Sequence, residues 1–134
     1  MAVFFAFILG GGLYGLLEVA WRGFTHWTML ILGGACTAAG YVISGVNITF
    51  FKKLCLCTAI ITTLEFLTGI VVNIMLNWHV WDYSGQPFNI LGQICPQFVF
   101  LWGLLSAGGL GLCQFLRQLP QRLRRRLPPG RRQA

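Results

Sequence analysis

Three acids, Glu18, Glu65 and Asp82, are the whole anionic inventory of a 134-residue chain with ten Lys and Arg residues. Acids so scarce in an apolar sequence are candidates for binding an ion or moving a proton. Glu65 is the most informative. It sits mid-way along a long apolar run, and at 100° per residue Thr58, Thr62, Glu65, Gly69 and Asn73 fall within about 80° of one another. An ionised carboxylate at the centre of a membrane costs at least ~2.5–3.5 kcal/mol, so Glu65 should face a bundle interior, find a partner or carry a proton. The bland alternative is a Glu that only ties helices together by hydrogen bonds. Glu18 lies four residues before Arg22, a spacing that permits a local ion pair. It also shares a face with Gly11 and Gly15, which points it inward.

The third acid opens the one long polar passage between apolar runs, Trp81-Asp82-Tyr83-Ser84-Gly85-Gln86-Pro87-Phe88-Asn89, continuing through Gly92 and Cys95 to Trp102. Aromatic rings with polar tips favour the membrane–water boundary. Gly85 and Pro87 favour a turn over a continuous helix. The passage reads as a structured cap, with Trp81, Tyr83, Ser84, Pro87 and Gly92 shaping it. Asp82 and Asn89 either contribute to a site or cap turns, as Asx side chains do. From topology and faces, Glu18, Glu65, Asn73, Asp82 and Asn89 are expected to line one polar cavity in the outer half of the molecule. His79, Asp82 and Ser84 hold the elements of a hydrolase triad, but a triad needs spatial geometry, not adjacency in sequence. No catalytic residue is assigned, and an enzyme is not expected.

The elements that must position these residues are membrane spans. The chain is 56% hydrophobic and 10% charged, with mean hydropathy +0.70, against about 25% charged in soluble domains. A spanning helix needs about 20 apolar residues, and four fit, at about 2–20, 27–46, 54–76 and 94–116. The expected fold is all-α, a four-helix transmembrane bundle over residues 1–116, followed by a basic, disordered tail over 117–134. The first run lacks a basic start and a cleavage site, so it reads as a retained helix rather than a signal peptide.

Seven of the ten basic residues lie at or after Arg117, and Lys52-Lys53 occupy the loop after the second span. Arg22 stands alone on the other side. The Lys/Arg bias puts both termini in the cytoplasm and the cap outside, in a multi-pass protein of a bacterial cytoplasmic membrane. Arg122, Arg124, Arg125 and Arg126 should meet anionic lipid, at about 1 kcal/mol each. The tail carries no nucleic-acid motif, so no nucleic-acid partner is expected.

Small residues recur at helical spacing: Gly11 and Gly15; Gly33, Thr37, Gly40 and Ser44; Gly103, Ala107 and Gly111. Such stripes let helix backbones approach closely, or else line a pore. The five cysteines form no metal-ligand spacing and no disulfide framework. No metal or cofactor is expected.

The residues Tyr14-Gly15-x-x-Glu18, Glu65-x-x-x-Gly69 with Asn73, and Trp81-Asp82-Tyr83-Ser84-x-x-Pro87-Phe88-Asn89-x-x-Gly92-x-Ile94-Cys95 with Trp102 resemble the bacterial ABC-transporter type IV permease family. The resemblance covers roughly residues 7–106. Pro96-Gln97, where that family favours apolar residues, should kink the start of the fourth helix, and the arginine-rich tail lies beyond the matching pattern. The resemblance implies membrane transport. No G-x-x-x-x-G-K-[ST] stretch occurs, so this chain does not supply a nucleotide-hydrolysing site of that kind. Four helices make a small pathway, which favours a homo-oligomer or a partner membrane subunit. The competing expectations are a scaffold subunit of a larger complex and, more distantly, an interfacial enzyme acting on lipid.

Overall fold

A computed structural model describes residues 1–126. Four helices follow in order: α1 (Ala2–Arg22), α2 (Trp27–Ser44), α3 (Phe50–Gly69, continuing as a π-helical segment over Ile70–Met75) and α4 (Pro96–Arg126). All four are long and apolar enough to cross a membrane, α3 counted to Met75 and α4 to Phe115. The chain is a multi-pass, four-helix membrane bundle. Successive helices run antiparallel, so one end of the bundle holds the N-terminus and the 45–49 turn. The other, the cap end, holds the 23–26 turn and residues 77–95.

Local chemistry sets the boundaries. Gly23 closes α1 in the left-handed conformation (φ 80°), its N–H donating to the Val19 carbonyl at 2.8 Å. The Thr49 side chain accepts from the Lys52 N–H at the start of α3. Pro96 is the first residue of α4, where its missing N–H costs nothing. It opens the helix rather than kinking it. At the far end α4 runs on as helix to Arg126, past the boundary expected at 116. Residues 127–134 of the expected disordered tail lie outside those described, as do the side chains of Arg122, Arg124, Arg125 and Arg126.

The small residues of α1 and part of the α2 stripe are used for packing: a Cβ on Gly33 would stand 2.6 Å from that of Tyr14, and neighbouring Gly34 adds a second close approach. A Cβ on Gly11 would stand 2.5 Å from the Leu30 carbonyl oxygen, and one on Gly34 would stand 2.8 Å from that of Phe7. The helices approach to a distance only glycine permits. By contrast, Gly40, Gly108, Gly109 and Gly111 have no neighbour within 4 Å of an added Cβ. Packing is uneven: α1 lies against α2, α4 lies against α3 and α2, and the backbones of α1 and α4 do not meet. One apolar cluster, Met29, Leu32, Val72, Val80 and Trp81, fills the cap end, and a smaller one, Ile43, Cys57 and Leu110, holds the terminal end.

The terminal end is tied by cations on the C-terminus of α2. Lys53, itself buried, donates through Nζ to the Ser44 carbonyl at 2.8 Å. Arg117 donates to Ser44 Oγ at 2.9 Å and to the Tyr41 carbonyl at 2.6 Å, its guanidinium 4.1 Å from the Tyr41 ring centre. A helix C-terminus leaves carbonyls unpaired and carries partial negative charge, so both cations are well placed.

Candidate functional site

Glu65 is 2% exposed and takes two neutral donors. Trp102 Nε1–H on α4 donates to Oε2 at 2.6 Å, and the Tyr83 hydroxyl in the cap donates to Oε1 at 3.0 Å. Tyr83 stacks on Phe98 with ring centres 4.4 Å apart, Phe98 leans on Trp102 at 6.5 Å, and Tyr14 of α1 reaches Trp102 at 6.0 Å. An aromatic wall thus holds the carboxyl in place. No Lys, Arg or His pairs with Glu65 among the described residues; their one ion pair is Arg22–Glu18.

The cap brings Tyr83 to Glu65. Asn73, on the π-helical segment, accepts the Val80 N–H at 2.7 Å and donates to Gln93 Oε1 at 2.8 Å. Gln93 in turn gives its carbonyl to the Trp81 indole N–H at 3.1 Å. Gly69 makes room for this pair, since a Cβ there would stand 3.0 Å from the Trp81 ring. The Tyr83 N–H donates to the Gly92 carbonyl at 2.8 Å. Asp82 accepts from the Ser84 N–H at 2.8 Å and from the Ser84 hydroxyl. Those bonds, the hydroxyl's foremost, hold the exposed Asp82 carboxyl below its ordinary range. Asn89 donates to the Ser84 and Gln86 carbonyls and accepts from the Gly92 N–H at 2.9 Å. Burial, with the Glu65 carboxylate second, holds the Tyr83 phenol well above the ordinary value, so it stays a donor.

Glu18 belongs to a separate cluster: Arg22 donates to it at 2.5 Å, Thr25 donates through its hydroxyl, and Arg22 also reaches the Val80 carbonyl at 3.0 Å. The i,i+4 pair therefore forms, and Arg22 uses it to fasten the cap to α1.

The expected polar cavity does not assemble from these residues. A cavity of about 680 Å³ lies between the helices, and of Glu18, Glu65, Asn73, Asp82 and Asn89 only Glu65 lines it. Its walls are mostly apolar, and it runs from Glu65 toward the terminal end, to Ala2 on α1 and Cys113 on α4. The reason is mutual satisfaction: in the cap half Glu18, Asn73, Asp82 and Asn89 are each taken up by neighbours. The threonines of the Glu65 stripe likewise turn back onto their own helix, Thr58 to the Leu54 carbonyl and Thr62 to that of Thr58. Leu9 and Leu13 on α1 and Leu105 and Leu112 on α4 line the cavity yet remain exposed, so it opens along the α1–α4 seam.

Ser84 donates directly to Asp82 with no histidine between them, an arrangement that does not relay a proton from the hydroxyl to an imidazole. Among the described residues no three His, Cys, Asp or Glu side chains come together to hold a metal. Sequence reasoning left Tyr14, Gln93, Trp102 and Ser106 out of the site. Tyr14 and Trp102 stood within the resemblance, which was the available signal; nothing marked Gln93 or Ser106 as lying inside.

The model of the family described as "Putative ABC-transporter type IV" matches residues 12–131. The chain belongs to this family. The match takes in every residue around Glu65 and, unlike the resemblance drawn from residues 7–106, extends into the arginine-rich tail. Comparison with curated proteins and with solved structures returned no match. For this ABC-transporter type IV protein, the cap motif now has a structural meaning: Trp81, Asn89 and Gly92 fold the loop that sets Tyr83 on Glu65.

Proposed function

We propose that this ABC-transporter type IV protein is a transport-related membrane subunit whose substrate site is the cavity at Glu65. One observation carries the reading: a buried carboxyl with no cationic partner among the described residues lines an open, largely apolar cavity. Glu65 is almost wholly buried but stands in the wall of this cavity, where an acid without a counter-ion can take a proton or a charged ligand. Both termini lie in the cytoplasm of a bacterial cell, following the Lys/Arg bias, and the charge of Arg122, Arg124, Arg125 and Arg126 attracts anionic lipid. Four helices open on one side favour assembly as a homo-oligomer or with a partner membrane subunit.

A scaffold role is the second reading. It is favoured by Gly108 and Gly111, exposed on α4 with no neighbour, a face that would suit close helix approach. Thermal unfolding separates the two. Wild type and Glu65→Gln are compared in lipid-supplemented detergent against a panel of ions, lipids and metabolites. A compound that raises the wild-type midpoint and leaves the variant unmoved supports transport, because only a ligand bound to the folded state stabilises it. If nothing shifts either folded protein, the scaffold reading replaces it.

A further inference from the structure

We infer that the α1–α4 cavity takes a lipophilic monovalent cation, an ammonium or phosphonium bearing apolar substituents, with Glu65 as its counter-ion. The inference rests on the transport reading and names its substrate class. Three features of the cavity converge on it.

The first is charge. Glu65 is a buried acid on the cavity wall, and its only described partners, Tyr83 and Trp102, are neutral. Two donors position a carboxylate without cancelling its charge, so a cation gains what no described residue supplies. An anion would be repelled, and an acyl chain would fill the space while leaving the acid uncompensated.

The second is the aromatic wall. Tyr14 and Trp102 both line the cavity, and ring faces attract cations that have shed water, by about 2 kcal/mol or more when desolvated. A hydrated inorganic ion would find few oxygens here. A cation wrapped in hydrocarbon brings the apolar surface the walls call for.

The third is Ser106. It is 7% exposed, lines the cavity, and its hydroxyl has no hydrogen-bond partner among the described residues. A buried serine on a helix ordinarily bonds back to a carbonyl in the preceding turn. Ser106 stands four residues beyond Trp102, one turn along the same face of α4. This hydroxyl is buried in the cavity wall, and a turn of the side chain presents it to a ligand. The volume, about 680 Å³, falls within the roughly 300–1,000 Å³ of small-molecule pockets.

The test uses the full-length protein in phosphatidylcholine nanodiscs and equilibrium dialysis of two probes alike in shape and opposite in charge, tetraphenylphosphonium and tetraphenylborate. Wild type should bind the phosphonium saturably and the borate not at all. Glu65→Gln should weaken phosphonium binding by at least about tenfold. Because loss of the acid could also disturb folding, Gly109→Leu provides an independent arm: Gly109 lines the cavity, has open space around it, and the added side chain obstructs the site while Glu65 stays. It should lose phosphonium binding and keep wild-type helicity and elution. Equal binding of both probes, or phosphonium binding within about twofold of wild type in Glu65→Gln, reduces the cavity to a greasy slot and overturns the inference. No saturable phosphonium binding to wild type overturns it too. In that event a Glu65-dependent thermal shift with a neutral or anionic compound would leave the transport reading standing; absence of any such shift removes both.

Discussion

Gly92 is fixed from three directions. Its N–H donates to Asn89, its carbonyl accepts from Tyr83, and its φ of 67° lies where side chains are strained. A Cβ there would also stand 3.0 Å from an Asp82 carboxylate oxygen. Gly92→Ala should therefore cost about 1–2 kcal/mol for the left-handed backbone alone, read as a lowered thermal midpoint. Gly85→Ala, seven residues earlier in open space, should change stability by no more than about 0.5 kcal/mol; equal losses at both would show that the loop, not the geometry at Gly92, is being perturbed. The sequence announces a turn at Gly85 and Pro87 but does not say which glycine is obligatory, because that depends on atoms brought in by the fold. The Glu18–Arg22 pair was legible for the opposite reason. Both partners lie on one helix, where spacing alone brings them together. The partners of Glu65 stand 18 and 37 residues away, beyond any helical period, so inward orientation could be read and the bonding could not.

At the scale of elements, α3 carries the site and its π-helical end carries the cap. Over Ile70–Met75 the backbone bonds widen, with the Leu76 N–H reaching Val71 and the Trp78 N–H reaching Val72. This change of winding lets Asn73 face the returning loop. Four spans were readable because length and hydropathy are local properties. Of the residues expected to line a cavity in the cap half, Glu18, Asn73 and Asn89 bond to neighbours and Glu65 alone lines the α1–α4 cavity. Asn73→Leu tests that account. It leaves the Val80 N–H and Gln93 Oε1 without their partner, at about 1–3 kcal/mol each when buried. Hydrogen exchange should quicken over residues 80–93 while the α1–α2 interface keeps its protection. Unchanged exchange in the cap would mean that Trp81 and the apolar cluster hold the loop without this network.

For the whole molecule, orientation decides which leaflet the α1–α4 seam serves, because the cavity extends from Glu65 toward the end that carries the N-terminus. Not every cation contributes to the charge asymmetry in the same way. Lys53 and Arg117 are engaged on the C-terminus of α2, and Arg22, alone on the cap side, is matched by Glu18. The cap side therefore presents Asp82 as its unpaired charge among the described acids, and the Lys/Arg excess stays with the termini. Two single-thiol variants report this directly. One keeps Cys55, exposed in the early turns of α3, and the other carries Gly85→Cys in the cap, each with the remaining cysteines changed to alanine. A membrane-impermeant maleimide added to intact cells should label the cap thiol and reach Cys55 only after lysis. That outcome opens the cavity to the cytoplasmic leaflet, where a lipophilic cation held inside by the membrane potential would concentrate. The reverse pattern would place the arginine-rich end outside and turn the seam toward the outer leaflet, so that the same carboxylate would collect its ligand from the opposite side.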